Sequence, residues 1–169
     1  TSPDATVAAL KRFAPLLPQK LMPKTEKKRV SRLCSPLKIS NSEKGVTGFG
    51  GSWTNLILIT GGTDKNLIFT DWADCVKKFV KKENLFLLEG SATLKMVAVL
   101  NRKGFFGGFK PQLYTTLPLL LTATLGRAKI AKSSLVLFSP SAASFEKFKN
   151  EFDRGEKFNL AVKLIMKGY

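Results

Sequence analysis

Residues 133–158 read SSLVLFSPSAASFEKFKNEFDRGEKF, and this stretch decides the predicted fold. The apolar run Leu135–Phe138 is typical of a strand buried on both faces of a parallel sheet, and Pro140 follows its end. Ser144 stands where a helix N-cap is expected, because apolar residues follow at positions 145, 148 and 152. The stretch therefore predicts a strand, a loop of small residues and a helix start, with Gly155 as the point where that helix would divide. Ligands bind at such strand ends in open α/β sheets, and a helix start there offers free N–H groups to an anion.

Two further apolar runs, Leu56–Ile59 and Leu85–Leu88, predict two more buried strands. Helices are predicted around them at about Pro3–Phe13, Asp71–Lys82, Ala92–Lys103 and Thr115–Ala128, with a short strand at Phe105–Lys110. Strands that alternate with helices predict an α/β fold whose sheet is mostly parallel and flanked by helices. Right-handed crossovers then bring the carboxyl ends of the strands to one edge, where three loops should meet: Thr60–Lys65, Glu89–Ser91 and Ser139–Ser144.

The segment from about Ala14 to Ser52 lacks hydrophobic periodicity and carries prolines at positions 15, 18, 23 and 36. It is also rich in lysine and arginine, and it ends in a run of glycines that lacks the GxxxxGK[ST] phosphate-loop pattern. Irregular segments of this length are uncommon within compact domains. We therefore predict that residues 14–52 form a long basic irregular insertion that is mobile and dispensable for the core.

The composition limits the classes of function. The chain has 169 residues, a formal net charge of +16 and no histidine, which removes the usual general base and the usual metal ligand. Its lysines are dispersed and no nucleic-acid-binding motif is recognised, so we do not expect a nucleic-acid partner, although a basic nucleic-acid-binding module remains the alternative. Cys34 and Cys75 lack metal-ligand spacing, which favours free thiols in a reducing cytoplasm. No stretch is long and apolar enough to span a membrane.

The predicted loop edge carries a cation, Lys65, and the hydroxyls of Ser139, Ser141 and Ser144. Such groups suit a ligand that bears a carboxylate or a phosphate. They include no evident catalytic base, nucleophile or metal cluster.

Three separated stretches resemble, in the same order, the UDP-N-acetylmuramoyl-L-alanine–D-glutamate ligases, which are Mur ligases of peptidoglycan synthesis. Thr1–Leu10 is similar to the end of that family's Asp-Ser-Lys-Ala-Thr motif and the helix behind it. Leu58–Lys65 is similar to its Gly-Gly-x-x-Lys turn, and Ser139–Phe158 to its C-terminal signature. The resemblance implies one Rossmann-like C-terminal domain over residues 1–169 that receives the incoming amino acid.

The resemblance also implies roles for individual residues. Lys65 would pair with a carboxylate of D-glutamate, Thr1 would contribute a hydroxyl, and Ser144 would hold the other carboxylate. Glu151 occupies a position that would add a backbone contact and where many relatives have an aromatic residue. Phe152 beside it would maintain the packing.

In this family ATP, with Mg2+, converts the carboxyl group of UDP-N-acetylmuramoyl-L-alanine to an acyl phosphate, which the amine of D-glutamate attacks. The ATPase phosphate loop, the uridine-binding domain and the residues before Thr1 are missing from this sequence. We therefore expect a C-terminal fragment of a cytoplasmic ligase that is inactive alone, with ATP, Mg2+ and the nucleotide substrate bound mainly elsewhere. A Mur ligase of another amino-acid specificity is the alternative, although the Asp-Asn-Pro-Arg motif of the meso-diaminopimelate enzymes is missing.

Overall fold

The computed structural model describes residues 2–13, 53–131 and 133–167, in five helices and four strands. The helices are α1 (Pro3–Phe13), α2 (Thr70–Phe79), α3 (Ser91–Arg102), α4 (Leu117–Ala128) and α5 (Glu151–Lys167). The strands are β1 (Asn55–Gly61), β2 (Leu85–Leu88), β3 (Gln112–Tyr114) and β4 (Ser134–Phe138), and a 3-10 turn spans Lys82–Asn84. The predicted insertion at 14–52 and residue Thr1 lie outside the described residues.

The four strands form one parallel sheet in the order β3-β2-β1-β4, which confirms the predicted α/β, Rossmann-like arrangement. Leu58 of β1 is in register with Leu85 of β2 on one side and with Leu137 of β4 on the other. Strand β1 therefore occupies the interior of the sheet, and its residues from Leu56 to Gly61 are all buried.

Helices cover both faces of the sheet. Leu56 and Leu58 point to one face, where their cluster includes Leu10 of α1, Trp72 of α2 and Met96 of α3, all buried. The alternate residues of β1 pack on the other face with three leucines of α4, and Phe158 of α5 packs against this second cluster. The rings of Phe138 and Phe158 stack with their centroids 4.2 Å apart, so α5 lies against β4. Alternate residues of each strand thus pack on opposite faces of the sheet, as the two-residue period of a strand requires.

Three local predictions are wrong. Strand β4 lies at the edge of the described sheet and all five of its residues are only partly buried, so it is not enclosed on both faces. The segment Phe105–Lys110 is a turn rather than a strand, because Gly104, Gly107 and Gly108 have φ values of 65, 52 and 83°. Left-handed backbone of this kind interrupts the extended conformation that a strand requires.

The third correction concerns the helix predicted to start behind Ser144. Residues 145–150 form turns, and α5 begins at Glu151 and continues through Gly155 without a break. The side chain of Asn150 accepts a hydrogen bond from the Asp153 N–H at 2.9 Å, and the Asp153 carboxylate accepts one from the Lys149 N–H at 2.9 Å. The first of these bonds makes Asn150 the N-cap, and the helix therefore starts six residues later than it would behind Ser144.

In the described ranges, none of the helices has the length and apolar composition needed to cross a membrane.

Candidate functional site

The loops that follow β1, β2 and β4 meet at the carboxyl edge of the sheet, as predicted. Thr63 and Ala143 form an antiparallel bridge in which each N–H donates to the other's carbonyl oxygen at 3.0 Å. The Gly61 N–H donates to the Pro140 carbonyl at 2.9 Å, and the Gly62 carbonyl accepts from the N–H of Ala92 at 2.9 Å. Backbone hydrogen bonds therefore join the loop after β1 to both of its neighbours.

Two glycines allow this close approach. Gly61 and Gly62 have φ values of 113 and 140°. A Cβ atom on Gly61 would lie 2.2 Å from the Leu88 carbonyl oxygen, and one on Gly62 would lie 2.5 Å from the Ala143 carbonyl oxygen. Only glycine fits at these two positions without moving the neighbouring main chain.

A buried cluster of four hydroxyl groups anchors the loop after β4. The Thr6 hydroxyl of α1 lies 2.6 Å from the Ser139 hydroxyl and makes a short hydrogen bond with the Ser141 hydroxyl. The Thr60 hydroxyl donates to the Pro140 carbonyl at 2.9 Å, and its oxygen lies 3.3 Å from the Ser141 hydroxyl oxygen. Ser141 has a φ of 60°, a conformation that is unfavourable for residues other than glycine, so these hydrogen bonds hold a strained backbone in place.

Arg154 of α5 supports the same loop from the other side. Its side chain is buried, and a guanidinium N–H donates to the Ala142 carbonyl at 3.0 Å. Burial lowers the pKa of Arg154 from its ordinary value, because removal from water disfavours the charged form. Sequence reasoning missed this residue, because a basic residue on a charged helix carries no sign of burial.

Lys65 and Ser144, the two principal predicted ligand residues, are brought to the same place. The bridge between Thr63 and Ala143 sets residues 63–65 beside residues 143–145, and the Lys65 ammonium lies 4.5 Å from the centroid of the Phe145 ring. Lys65 is exposed, whereas Ser144 is 4% exposed and its hydroxyl makes no hydrogen bond among the described residues. The site thus combines an accessible cation with a nearly buried hydroxyl.

Ser144 lines a narrow crevice together with Gly62, Glu89, Lys147 and Arg154. Its free volume of about 10 Å³ suits a single water molecule. A small organic ligand would therefore lie across the mouth of this crevice. A larger groove of about 470 Å³ lies between α4 and α5, where Leu117, Leu160 and Leu164 contribute to its lining.

A carboxylate from the turn after β4 occupies the start of α3. The Glu146 carboxylate accepts a hydrogen bond from the Ser91 N–H at 3.0 Å and a short one from the Ser91 hydroxyl. The Glu146 N–H donates to the Thr63 hydroxyl oxygen at 2.9 Å. Sequence reasoning missed Glu146, because its partners come from two other strand ends and no local pattern connects them.

The remaining predicted residues are less centrally placed. Glu151 and Phe152 are the first two residues of α5, and both are exposed. Phe152 is 75% exposed, so it packs little against the residues that the structure describes. Thr1 lies outside the described residues, although Thr6 of the following helix reaches the Ser139–Ser141 loop. Across the ranges that the structure describes, no group of three or more acidic, cysteine or histidine side chains could hold a metal ion.

Comparison with known proteins supports the resemblance seen in the motifs. No protein-family model matches the chain. A UDP-N-acetylmuramoylalanine–D-glutamate ligase of Treponema pallidum is 38% identical over 113 residues, which are 66% of this chain and 19% of the ligase. The ligases of that name from Borreliella afzelii and Prochlorococcus marinus strain MIT 9312 are 38% and 32% identical over 64% and 74% of the chain, and over 22% and 26% of their own lengths.

The chain thus spans only about a fifth to a quarter of the relatives that it matches. The matches have the name that the three motifs indicated, and the parallel α/β fold agrees with the one that the resemblance implied. This chain is homologous to one segment of the UDP-N-acetylmuramoylalanine–D-glutamate ligases.

Proposed function

We propose that this chain is the part of a D-glutamate-adding ligase of peptidoglycan synthesis that receives D-glutamate. The observation that carries the proposal is the bridge between Thr63 and Ala143, which sets Lys65 next to the turn that contains Ser144. These are the two residues to which the family resemblance assigns the carboxylates of D-glutamate. The relatives act on D-glutamate by name, and the same specificity is proposed here.

The chemistry of the site fits a small dicarboxylate. D-Glutamate carries two carboxylates and one amine, so its site needs more positive than negative character. The Lys65 ammonium is accessible, and a hydrogen bond to a charged group contributes about 1.5–3 kcal/mol. The Ser144 hydroxyl can donate to the second carboxylate, while the Thr1 hydroxyl and the backbone at Glu151 are proposed as further contacts, with Phe152 maintaining the packing beside Glu151.

The contribution of this chain to the reaction is to bind and orient the amino acid. If Lys65 and Ser144 hold the two carboxylates, the amine of D-glutamate remains free for amide formation with the carboxyl group of UDP-N-acetylmuramoyl-L-alanine. The crevice is too small to enclose the ligand, so the chain supplies one wall of the site. The opposite wall, and the contacts to the nucleotide substrate, would come from the rest of such a ligase in the cytoplasm.

ATP and Mg2+ would be held outside this chain. The sequence lacks the GxxxxGK[ST] phosphate loop, and the start of α3 is filled by Glu146. The part of the chain that the structure describes has no cluster of carboxylates that could bind Mg2+. The residues present thus do not fit these cofactors, and we assign this chain no step in the ADP-forming chemistry.

An NMR titration tests the binding proposal. D-Glutamate is added to the 15N-labelled chain, with L-glutamate as the stereochemical control. We expect saturable shifts of the amides at 63–65 and 144–146, and weaker or different shifts with L-glutamate. Lys65→Ala should weaken D-glutamate binding roughly 10- to 100-fold, as expected for the loss of a charge-assisted hydrogen bond.

Lys81→Ala is the matched control, because Lys81 is also exposed but lies between α2 and β2, away from the carboxyl edge. Equal effects of the two substitutions would show that Lys65 contributes only general charge, and the site assignment would fail.

An activity test replaces the matching segment of the Treponema pallidum ligase with this chain and measures the D-glutamate-containing product by mass spectrometry. Product from the chimera but not from the isolated chain is the expected result, and an inactive, folded chimera would contradict the proposal.

A further inference from the structure

We infer that Glu146 is a positioning residue that sets the geometry of Lys65 and Ser144 and closes the start of α3 to free anions. The inference rests on the proposed function for its effect on D-glutamate. It does not require Glu146 to touch the ligand. It follows instead from the contacts that Glu146 makes with the loops after β1 and β2.

Glu146 connects three strand ends. Its carboxylate accepts hydrogen bonds from the Ser91 N–H, at 3.0 Å, and from the Ser91 hydroxyl, and Ser91 is the first residue of α3, directly after the loop that follows β2. Its own N–H donates to the Thr63 hydroxyl oxygen, at 2.9 Å, in the loop after β1. Glu146 itself lies in the turn after β4, so its side chain and N–H connect all three loops in addition to the backbone hydrogen bonds that already join them.

The contact with Ser91 also reaches the Lys65 turn. The Ser91 hydroxyl oxygen accepts a hydrogen bond from the Asp64 N–H at 2.9 Å while its proton is donated to Glu146. Because the carboxylate can only accept, it orients the Ser91 hydroxyl so that a lone pair faces Asp64. The Asp64 carboxylate in turn accepts from the Leu67 N–H at 3.2 Å, which closes the turn on the other side of Lys65.

The same anchor places the ring against which Lys65 rests. Phe145 directly precedes Glu146, and its ring centroid lies 4.5 Å from the Lys65 ammonium. Such a contact restricts a side chain that would otherwise sample many rotamers. Release of Glu146 would therefore loosen the Lys65 turn and the Phe145 ring together, although the Thr63–Ala143 bridge remains.

The position of the Glu146 carboxylate also has an electrostatic consequence. The start of a helix carries partial positive charge and free N–H groups that attract anions. Here the Glu146 carboxylate accepts from the first of them, the Ser91 N–H, while the Ala92 and Thr93 N–H groups donate to the Gly62 and Gly90 carbonyls. Gly90 leaves room for this arrangement, because a Cβ atom there would lie 2.4 Å from the Gly62 carbonyl oxygen and 2.9 Å from a Glu146 oxygen. An incoming carboxylate is thereby directed to Lys65 and Ser144 rather than to α3.

The test compares the wild-type chain with Glu146→Ala, Glu146→Gln and the control Glu156→Ala, which removes an exposed carboxylate of α5. Three quantities are measured by NMR: hydrogen exchange of the Ser91 and Asp64 amides, shifts at 91–93 on addition of inorganic phosphate, and the affinity for D-glutamate. In Glu146→Ala we expect faster exchange at both amides, new phosphate-dependent shifts, and D-glutamate binding weakened by about 3- to 10-fold. In Glu146→Gln the three quantities should lie between those of the wild-type chain and those of Glu146→Ala, since the glutamine amide oxygen can still accept from the Ser91 N–H.

The outcomes separate this inference from the proposed function. If the wild-type chain does not bind D-glutamate, the proposed function fails. The hydrogen exchange of the Ser91 and Asp64 amides and the phosphate-dependent shifts would still test the role of Glu146. If Glu146→Ala leaves exchange and phosphate shifts unchanged, or if Glu156→Ala has the same effects, the inference is overturned. A purely structural role would change stability and exchange but would not open a phosphate site at α3.

Discussion

The substitution of Gly61 by alanine offers the most direct check on how tightly the strand ends are joined. Gly61 is the last residue of β1, and its φ of 113° lies outside the regions that residues with a side chain occupy readily. The new Cβ atom would lie 2.2 Å from the Leu88 carbonyl oxygen and 2.8 Å from the Thr93 hydroxyl oxygen. The first of these is main chain within a sheet, so it cannot move away as a flexible side chain could.

The expected cost follows from two terms. Forcing an alanine into this backbone conformation costs about 1–3 kcal/mol. Opening the gap to Leu88 to an ordinary contact requires a shift of about 1 Å, comparable to an overpacked core position at about 1–3 kcal/mol. We therefore expect Gly61→Ala to lower the free energy of unfolding by about 4 kcal/mol.

Gly104→Ala is the matched control. Gly104 also has a positive φ, 65°, but a Cβ atom there would meet nothing within 4 Å. Only the left-handed backbone term remains, about 1 kcal/mol. The comparison thus isolates the close approach of β1 to β2 from the general effect of a positive φ.

Urea unfolding, followed by tryptophan fluorescence, is the assay. With a slope of about 2 kcal/mol per molar urea, the midpoint should fall by about 2 M for Gly61→Ala and about 0.5 M for Gly104→Ala. A Gly61→Ala chain that is unfolded without urea would agree with the same reasoning. Midpoints within about 0.5 M of each other would show that the strand ends are not packed as closely as described, and the argument would be refuted.

Two further predictions concern groups beside the site. Thr6→Val should lower the free energy of unfolding by about 1–3 kcal/mol, because the buried Ser139 and Ser141 hydroxyls lose the hydrogen bonds that they make with the Thr6 hydroxyl. Thr6→Ser should retain most of the stability. A loss no larger than that of Thr124→Val, whose hydroxyl donates to the Leu120 carbonyl of its own helix, would contradict this. The hydrogen bond from Lys95 holds the pKa of Asp64 below its ordinary value of 3.8. The Lys95–Asp64 pair therefore stabilises the folded chain above that pH, and this stabilisation is lost as the pH falls through the lower pKa of the folded state. An NMR titration should find the pKa of Asp64 raised in Lys95→Met, and an unchanged value would rule out this ion pair as the cause.

The strands and the edge where their loops meet could be predicted from the sequence. Leu56–Ile59 and Leu85–Leu88 are short apolar runs between helices of suitable length, and both are strands with every one of these residues buried. Parallel strands with right-handed crossovers have their carboxyl ends at one edge whatever their order, so the placement of Lys65 and Ser144 at the same edge followed from topology. The local sequence pattern was sufficient here, because the period and length of the apolar runs decide which segments form strands and which form helices.

The tertiary structure decided what depends on contacts between distant residues. The order β3-β2-β1-β4 leaves β4 at the edge of the described sheet, although its apolar run resembles that of a central strand. The start of α5 was set by the capping of Asn150 with Asp153 and by its packing on β4 through Phe158, rather than by the apolar residues at positions 145, 148 and 152. The carboxylate of Glu146 meets Ser91, which lies 55 residues earlier in the chain. No window of sequence contains both residues, so the closure of the α3 start and the spacing of the site arise only when the sheet is assembled.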